Sequence, residues 1–143
     1  MLFPDVNVLV YAYNLEAPQH KACSAWLESA LNGDDPVCFS WHTIMGFMRV
    51  VTTVRMVPNT LTAKEAMAIA DDMMQAPISR MLLPGDQHFE TFRKLVAETG
   101  IFGARLSDAH IAALALEHGA TVVSTDRDFR IFDRLNLINP LFV

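Results

Sequence analysis

Several protein classes are excluded by what this sequence has little of. It holds two cysteines, Cys23 and Cys38, which form no Cys-x-x-Cys pair. A disulfide scaffold, a zinc ribbon and a dithiol redox centre are therefore not expected, and both residues read as buried thiols of a cytoplasmic protein. No apolar run approaches the ~18 residues that a membrane span needs. The longest uncharged stretch, Pro36 to Met48, is interrupted by Ser40, His42 and Thr43. The first fifteen residues contain Asp5 and neither Lys nor Arg, so no secretory leader is expected. Lysine is scarce, supplying three of the eleven basic residues, with Arg supplying the other eight. The net charge is −5, which is not the balance of a protein that holds nucleic acid through bulk positive charge. No Asp or Glu at all occurs between Asp35 and Glu65.

What is present suits one globular domain spanning residues 1–143. Apolar residues make up 52% of the chain and charged residues 19%, enough for a sizeable core. No internal repeat, low-complexity tract or linker divides it. A short apolar run at residues 2–5 reads as a first strand, and 6–14 as a turn into helix. Gln19 to Leu31 reads as an amphipathic helix, closed by Asn32-Gly33-Asp34-Asp35-Pro36. Val37 to Ser40 is a second strand. Residues 41–54 are apolar nearly all round and predict a well-buried helix. Thr62 and Glu65 have capping-box spacing at the head of a helix to Gln75. Met81-Leu82-Leu83 reads as a third strand. Asp86 reads as the cap of a helix through Glu98, with Phe89, Phe92, Leu95 and Val96 inward. Ser107 to His118 is the clearest helix, capped by Ser107 and stopped by Gly119. Ala120 to Ser124 is a fourth strand, followed by a helical piece near Phe129 to Asp133 and an extended run at Ile138 to Val143. Strands that alternate with helices predict an α/β fold with a mostly parallel central sheet flanked by helices in three layers.

Four carboxylates fall at the ends of these elements. Asp5 ends the first strand, Asp108 lies in the first turn of its helix, and Asp126 and Asp128 follow the fourth strand. Taken singly, each is ordinary turn or helix-terminus chemistry. Taken together they predict a site. In an open parallel sheet, ligands bind beyond the carboxyl ends of the strands, where strand order reverses. If strands one and four are neighbours, these acids meet there, within a few ångströms of one another. Acids that close raise one another's pKa unless a cation sits among them. Oxygen-only donors favour a hard ion such as Mg²⁺, which retains several waters.

Three segments carry a resemblance. Asp5-Val6-Asn7-Val8-Leu9-Val10-Tyr11-Ala12, Leu106-Ser107-Asp108-Ala109-His110-Ile111-Ala112-Ala113-Leu114-Ala115 and Val123-Ser124-Thr125-Asp126-Arg127-Asp128-Phe129 resemble the PIN domain. More narrowly, they resemble the VapC toxin ribonucleases of bacterial toxin–antitoxin pairs. The likeness runs the length of the chain, in order and at family spacing. It implies a Mg²⁺- or Mn²⁺-dependent ribonuclease, a homodimer, and a small VapB-like antitoxin that inhibits it. Carried over by position, Asp5, Asp108 and Asp126 are the metal-binding acids, with Asp128 an auxiliary catalytic acid. Asn7 and Thr125 match family positions that hydrogen-bond these carboxylates. One position departs from the pattern: the family's usual Glu, three residues before a position like Arg49, is Gly46 here. That departure bears on a second metal more than on the first.

The resemblance implies attack of an activated water on a phosphodiester, leaving a 5′-phosphate. Arg49, Arg105, Arg127 and Arg130 are candidate contacts to the RNA backbone. His42 and Trp41 are expected to pack in the core, with stacking on an RNA base as the other possibility, and His110 is expected to have a structural or capping role. The Ala/Met face of the 62–75 helix and the Phe47-Met48 region read as core, with an antitoxin groove as the other possibility. Two other functions are carried forward. A phosphatase with Asp5 as nucleophile would form an aspartyl-phosphate, but Asp5-Val6-Asn7 lacks the acid two residues on. A PIN-like RNA-binding module weakened by Gly46 would bind metal without cutting RNA.

Overall fold

The computed structural model describes residues 1–143. Its elements follow as β1 (Leu2–Pro4), α1 (Val6–Tyr13), α2 (His20–Leu31), β2 (Val37–Phe39), α3 (Trp41–Val51) and α4 (Ala63–Gln75). Then come β3 (Ser79–Met81), α5 (His88–Thr99), α6 (Leu106–His118), β4 (Thr121–Val123) and β5 (Leu137–Ile138). The five strands form one parallel sheet in the order β3-β2-β1-β4-β5.

Alternation along the strands divides the core in two. Phe3, Cys38 and Val122 face the layer built on α5 and α6, whereas Val37, Phe39 and Val123 face the layer built on α1 to α4. All six are fully buried. Each covering layer therefore needs its own apolar face. In α6, Ala109, Ile111, Ala112, Ala113, Leu114 and Ala115 are all buried, and four small alanines let its backbone lie close to its neighbours.

The sheet order places the switch point between β1 and β4. From β1 the chain proceeds to β2 on one side, while β4 lies on the other in register Leu2↔Thr121, Phe3↔Val122 and Pro4↔Val123. The carboxyl ends of β1 and β4 are thus adjacent. Asp5 follows one and Ser124 to Asp126 follow the other.

Several expected details are corrected. The third strand is Ser79–Met81 rather than Met81–Leu83, because this edge strand pairs Val37↔Ser79 and its residues are only partly covered. The apolar triplet signalled burial of Leu82 beyond the ladder. Asp86 does not cap α5; that helix starts at His88 with no side-chain cap, and Phe89 points outward, 64% exposed. Ser107 does not cap α6. A 3₁₀ turn at Gly103–Arg105 runs straight into the helix at Leu106 and satisfies the early backbone donors itself. Helix α3 ends at Val51, where the Thr52 and Thr53 hydroxyls fold back onto the carbonyls of Met48 and Arg49. It is not buried all round: Trp41, expected in the core, and Met45 are exposed. His42 is exposed as well. The final segment is the short β5 and a 3₁₀ turn at Pro140–Phe142, begun by Asn139, whose side chain accepts from Leu141 N.

The capping box at Thr62 and Glu65 is formed, as is the left-handed stop at Gly119, where φ is 65°. Cys23 and Cys38 are free and buried. No helix is long and apolar enough to cross a membrane.

Candidate active site

Asp5 is the N-cap of α1. Its Oδ1 accepts from Val6 N at 2.7 Å, which satisfies a helix-end donor. Its Oδ2 accepts from the Ser124 hydroxyl at 3.0 Å. Those bonds, and the helix end, favour the ionised form. Burial opposes them and prevails, with only 8% of Asp5 exposed. Desolvation, with smaller contributions from Asp108 and Asp126, lifts the carboxyl from the usual 3.8 to about 6.

Ser124 is the hub of the site. Its hydroxyl, in a residue 4% exposed, donates to Asp5 and accepts from Asn7 Nδ2 at 3.1 Å and from Asp126 N at 3.0 Å. One hydroxyl thereby ties β1 to β4 across the switch point. Asn7 reaches Asp5 only through Ser124. Thr125 joins through its backbone, its N–H donating to Asn7 Oδ1 at 3.4 Å. Sequence reasoning chose Asn7 and Thr125 and missed Ser124; the signal available was a hydroxyl at the carboxyl end of a buried strand.

Asp108 enters from the first turn of α6 and lines a cleft of about 760 Å³ with Asp5, His42, Gly46, Arg49 and Ser107. Burial, then the charge of Asp126, raises its pKa to about 6, with Arg105 opposing and Asp128 adding to the rise. Arg105 Nε lies 3.8 Å from a carboxylate oxygen of Asp108 and 3.8 Å from one of Asp128. Both are ion-pair rather than hydrogen-bond distances, and that buried nitrogen has no hydrogen-bond partner. Arg105 is thus engaged with the acids.

Asp126 and Asp128 are near enough for their charges to act on Asp108, but they do not line its cleft. Asp126 Oδ1 accepts from Asp128 N at 2.8 Å and starts the 3₁₀ turn Arg127–Ile131. With Arg127 and Arg130 it lines a smaller cleft of about 170 Å³. The Asp128 side chain is 60% exposed. The acids therefore surround the switch point more loosely than expected, and no group of three or more acidic, imidazole or thiol side chains is placed to hold a metal ion directly. The cause is local: the Asp126 carboxylate is committed to its turn and Asp128 faces solvent. The donor chemistry still fits a hydrated hard cation. The donors are oxygens only, and the charges of Asp108 and Asp126 both bear on Asp5, a repulsion that a nearby cation would offset.

The absence of acid at position 46 has a steric counterpart. A Cβ built on Gly46 would lie 2.7 Å from Val6 Cγ2. Any side chain at position 46 would therefore require Val6 of α1 to shift.

Beside the acid cleft lies a second one that the sequence did not announce. His42, His88, Phe89, Phe92, Leu106, Ser107 and His110 line about 370 Å³ between α3, α5 and α6. His110 accordingly belongs to a histidine cluster, with its ring 5.3 Å from that of His42 and 4.9 Å from that of His88. Burial and neighbouring charge, from Arg49 on His42 and from His42 and His88 on His110, hold both imidazoles below the usual range.

Comparison with known proteins adds to this geometry. The family model for the PIN domain matches residues 2–135. A VapC ribonuclease of Mycobacterium bovis is 38% identical over 141 residues, covering 99% of this chain and 96% of the relative. Among solved structures, VapBC2 from Rickettsia felis, bound to a DNA fragment from its promoter, superposes with a TM-score of 0.71 at 17% identity, covering 97% of this chain and 98% of that one. VapC20 of Mycobacterium tuberculosis, described as a sarcin-ricin loop cleaving toxin, gives 0.66 at 16% identity, with 91% and 93% covered.

Proposed function

The chain belongs to the PIN-domain family and, within it, to the VapC ribonucleases, and from that premise we propose that it is a metal-dependent endoribonuclease toxin held in check by a cognate antitoxin. The observation that carries this is the pairing of Asp5 and Asp108 in one cleft at the β1–β4 switch point, both with pKa values near 6. Two carboxylates so raised are poised to share a cation and to take up protons near neutral pH. A solved toxin–antitoxin complex from Klebsiella pneumoniae with the same fold supports the partner. The sarcin-ricin activity named for VapC20 supports a structured RNA as substrate, with tRNA, rRNA and mRNA all within the proposal.

Asp5, Asp108 and Asp126 would hold Mg²⁺ or Mn²⁺, with water completing the shell. When bound, the ion supplies Lewis-acid activation of water and neutralises charge on a phosphoryl oxygen. The chain's own residues do the rest. Ser124 fixes Asp5 and the Asp126 backbone relative to one another. Asp108 faces the cleft and can orient the attacking water or take its proton. Arg49, in the same cleft, and Arg127 and Arg130, beyond Asp126, can hold the RNA backbone on either side of the scissile bond. Arg105 steadies Asp108 and Asp128. A homodimer, as the family resemblance implies, is part of the same proposal.

The test is incubation of the purified protein with total RNA in Mg²⁺ or Mn²⁺ and in chelator. Discrete cuts that need the ion support the reading. Metal binding without cleavage of any RNA would favour the alternative, an RNA-binding module weakened at Gly46.

A further inference from the structure

We propose that the cleft between α3, α5 and α6 binds one unpaired nucleobase of the RNA, next to the scissile phosphate, and selects a base that presents an exocyclic amine. This rests on the ribonuclease reading above. His42 and Ser107 line both this cleft and the acid cleft, so a strand whose phosphate lies at Asp5 and Asp108 has a flanking base within reach of it. Its volume of about 370 Å³ is at the small end for ligand pockets, suited to a single ring system. Its walls are what an unstacked base needs. Phe89 is 64% exposed, lies 6.2 Å from the Phe92 ring with 27° between planes, and carries the Arg93 guanidinium 5.1 Å from its centroid. Aromatic faces and Arg planes are the usual platforms for splayed RNA bases. The histidines are not placed as a metal site.

The polar edge of the cleft is set by a chain of hydrogen bonds. Glu117 Oε2 lies 2.6 Å from His88 Nδ1, and His88 Nε2 lies 2.9 Å from His110 Nδ1. Glu117 is anchored further by accepting from Gly85 N at 3.2 Å. A carboxylate only accepts, so His88 carries its proton on Nδ1. In the neutral form of His88, Nε2 accepts, His110 donates from Nδ1, and His110 Nε2 is left as a lone pair. A lone pair there accepts from the amine of cytosine or adenine and meets only a carbonyl at the corresponding position of uracil.

The test is an NMR titration of the full chain, with ¹⁵N-labelled histidine, against CMP, UMP and ribose 5-phosphate in chelator. CMP is expected to move the His42 and His110 ring signals, UMP to bind at least about fivefold more weakly, and ribose 5-phosphate to leave those signals in place. Phe89→Ala, an exposed position, is expected to weaken CMP roughly tenfold with its circular dichroism unchanged. His110→Phe is expected to bind CMP and UMP alike. Equal shifts from CMP and ribose 5-phosphate would overturn the proposal, as would ring signals that move only on adding the antitoxin. RNA cleavage by Phe89→Ala at wild-type positions and rate would overturn the pocket and leave the ribonuclease intact. Base binding in a wild-type protein that cuts no RNA would support the pocket and sink the ribonuclease.

Discussion

Gly46 and Val6 stand where α3 meets α1 beside the acid cleft, and a Cβ on the first would come within 2.7 Å of a methyl of the second. The missing acid and the close packing are two aspects of one contact. A Glu at position 46 needs room that Val6 occupies, and Val6 is β-branched and stiff, so it cannot swing aside cheaply.

Gly46→Glu alone is therefore expected to lower stability by about 1–3 kcal/mol through overpacking. With Val6→Ala in the same chain, most of that loss should be recovered. Urea denaturation of the two single variants and the double variant measures the coupling. Additive losses would mean that the contact is not the constraint.

Asp5→Asn should make the metal-free protein more stable at pH 7. A carboxyl that binds its proton more tightly folded than unfolded favours the fold while protonated, and that advantage is lost as pH rises from 3.8 through about 6. The span corresponds to roughly 3 kcal/mol as an upper bound. The gain from Asp5→Asn should therefore fade as pH falls toward 4. Thermal melts of both proteins in chelator between pH 4 and 7 test it, and a pH-independent difference would contradict the assignment.

Ser124→Ala should cost about 1–3 kcal/mol by leaving the Asp5 carboxylate, Asn7 and the Asp126 amide without their shared partner. Ser124→Thr, which keeps the hydroxyl, should recover Mn²⁺ affinity to a greater degree than Ser124→Ala. Calorimetric Mn²⁺ titration reads this, and equal affinity in both variants would remove Ser124 from the site.

Arg105→Gln should tighten Mn²⁺ binding a few-fold while raising the Asp108 pKa further, because the guanidinium competes with any cation for Asp108 and Asp128. Weaker Mn²⁺ binding would mean that Arg105 organises the acids more than it competes for them.

The architecture was legible in the sequence where periodicity and capping agree. The short apolar runs at Val37-Cys38-Phe39 and Val122-Val123, the box at Thr62 and Glu65, and the stop at Gly119 all have local causes. Asp5 and Asp108 could be placed in one site on the condition that strands one and four are neighbours, which the β1–β4 pairing meets. Other features were hidden because they depend on side chains distant in sequence. Ser124 becomes a hub only once β4 lies beside β1. His42, His88 and His110 look like scattered histidines until three helices bring them together. Phe89 was read inward from its helical spacing, yet the face it occupies borders a cleft. Asp126 was expected among the other acids, and its charge does bear on Asp5 and Asp108, but one of its oxygens is taken by its own turn, which its sequence position did not reveal.

The most direct measurement maps the 5′ ends made in total RNA by the purified chain in Mn²⁺, beside Asp5→Asn and Asp108→Asn. Discrete cuts bearing 5′-phosphates, abolished by chelator and lost in both variants, are the predicted result. Cuts that persist in the variants, or products ending in 2′,3′-cyclic phosphate, would contradict the account.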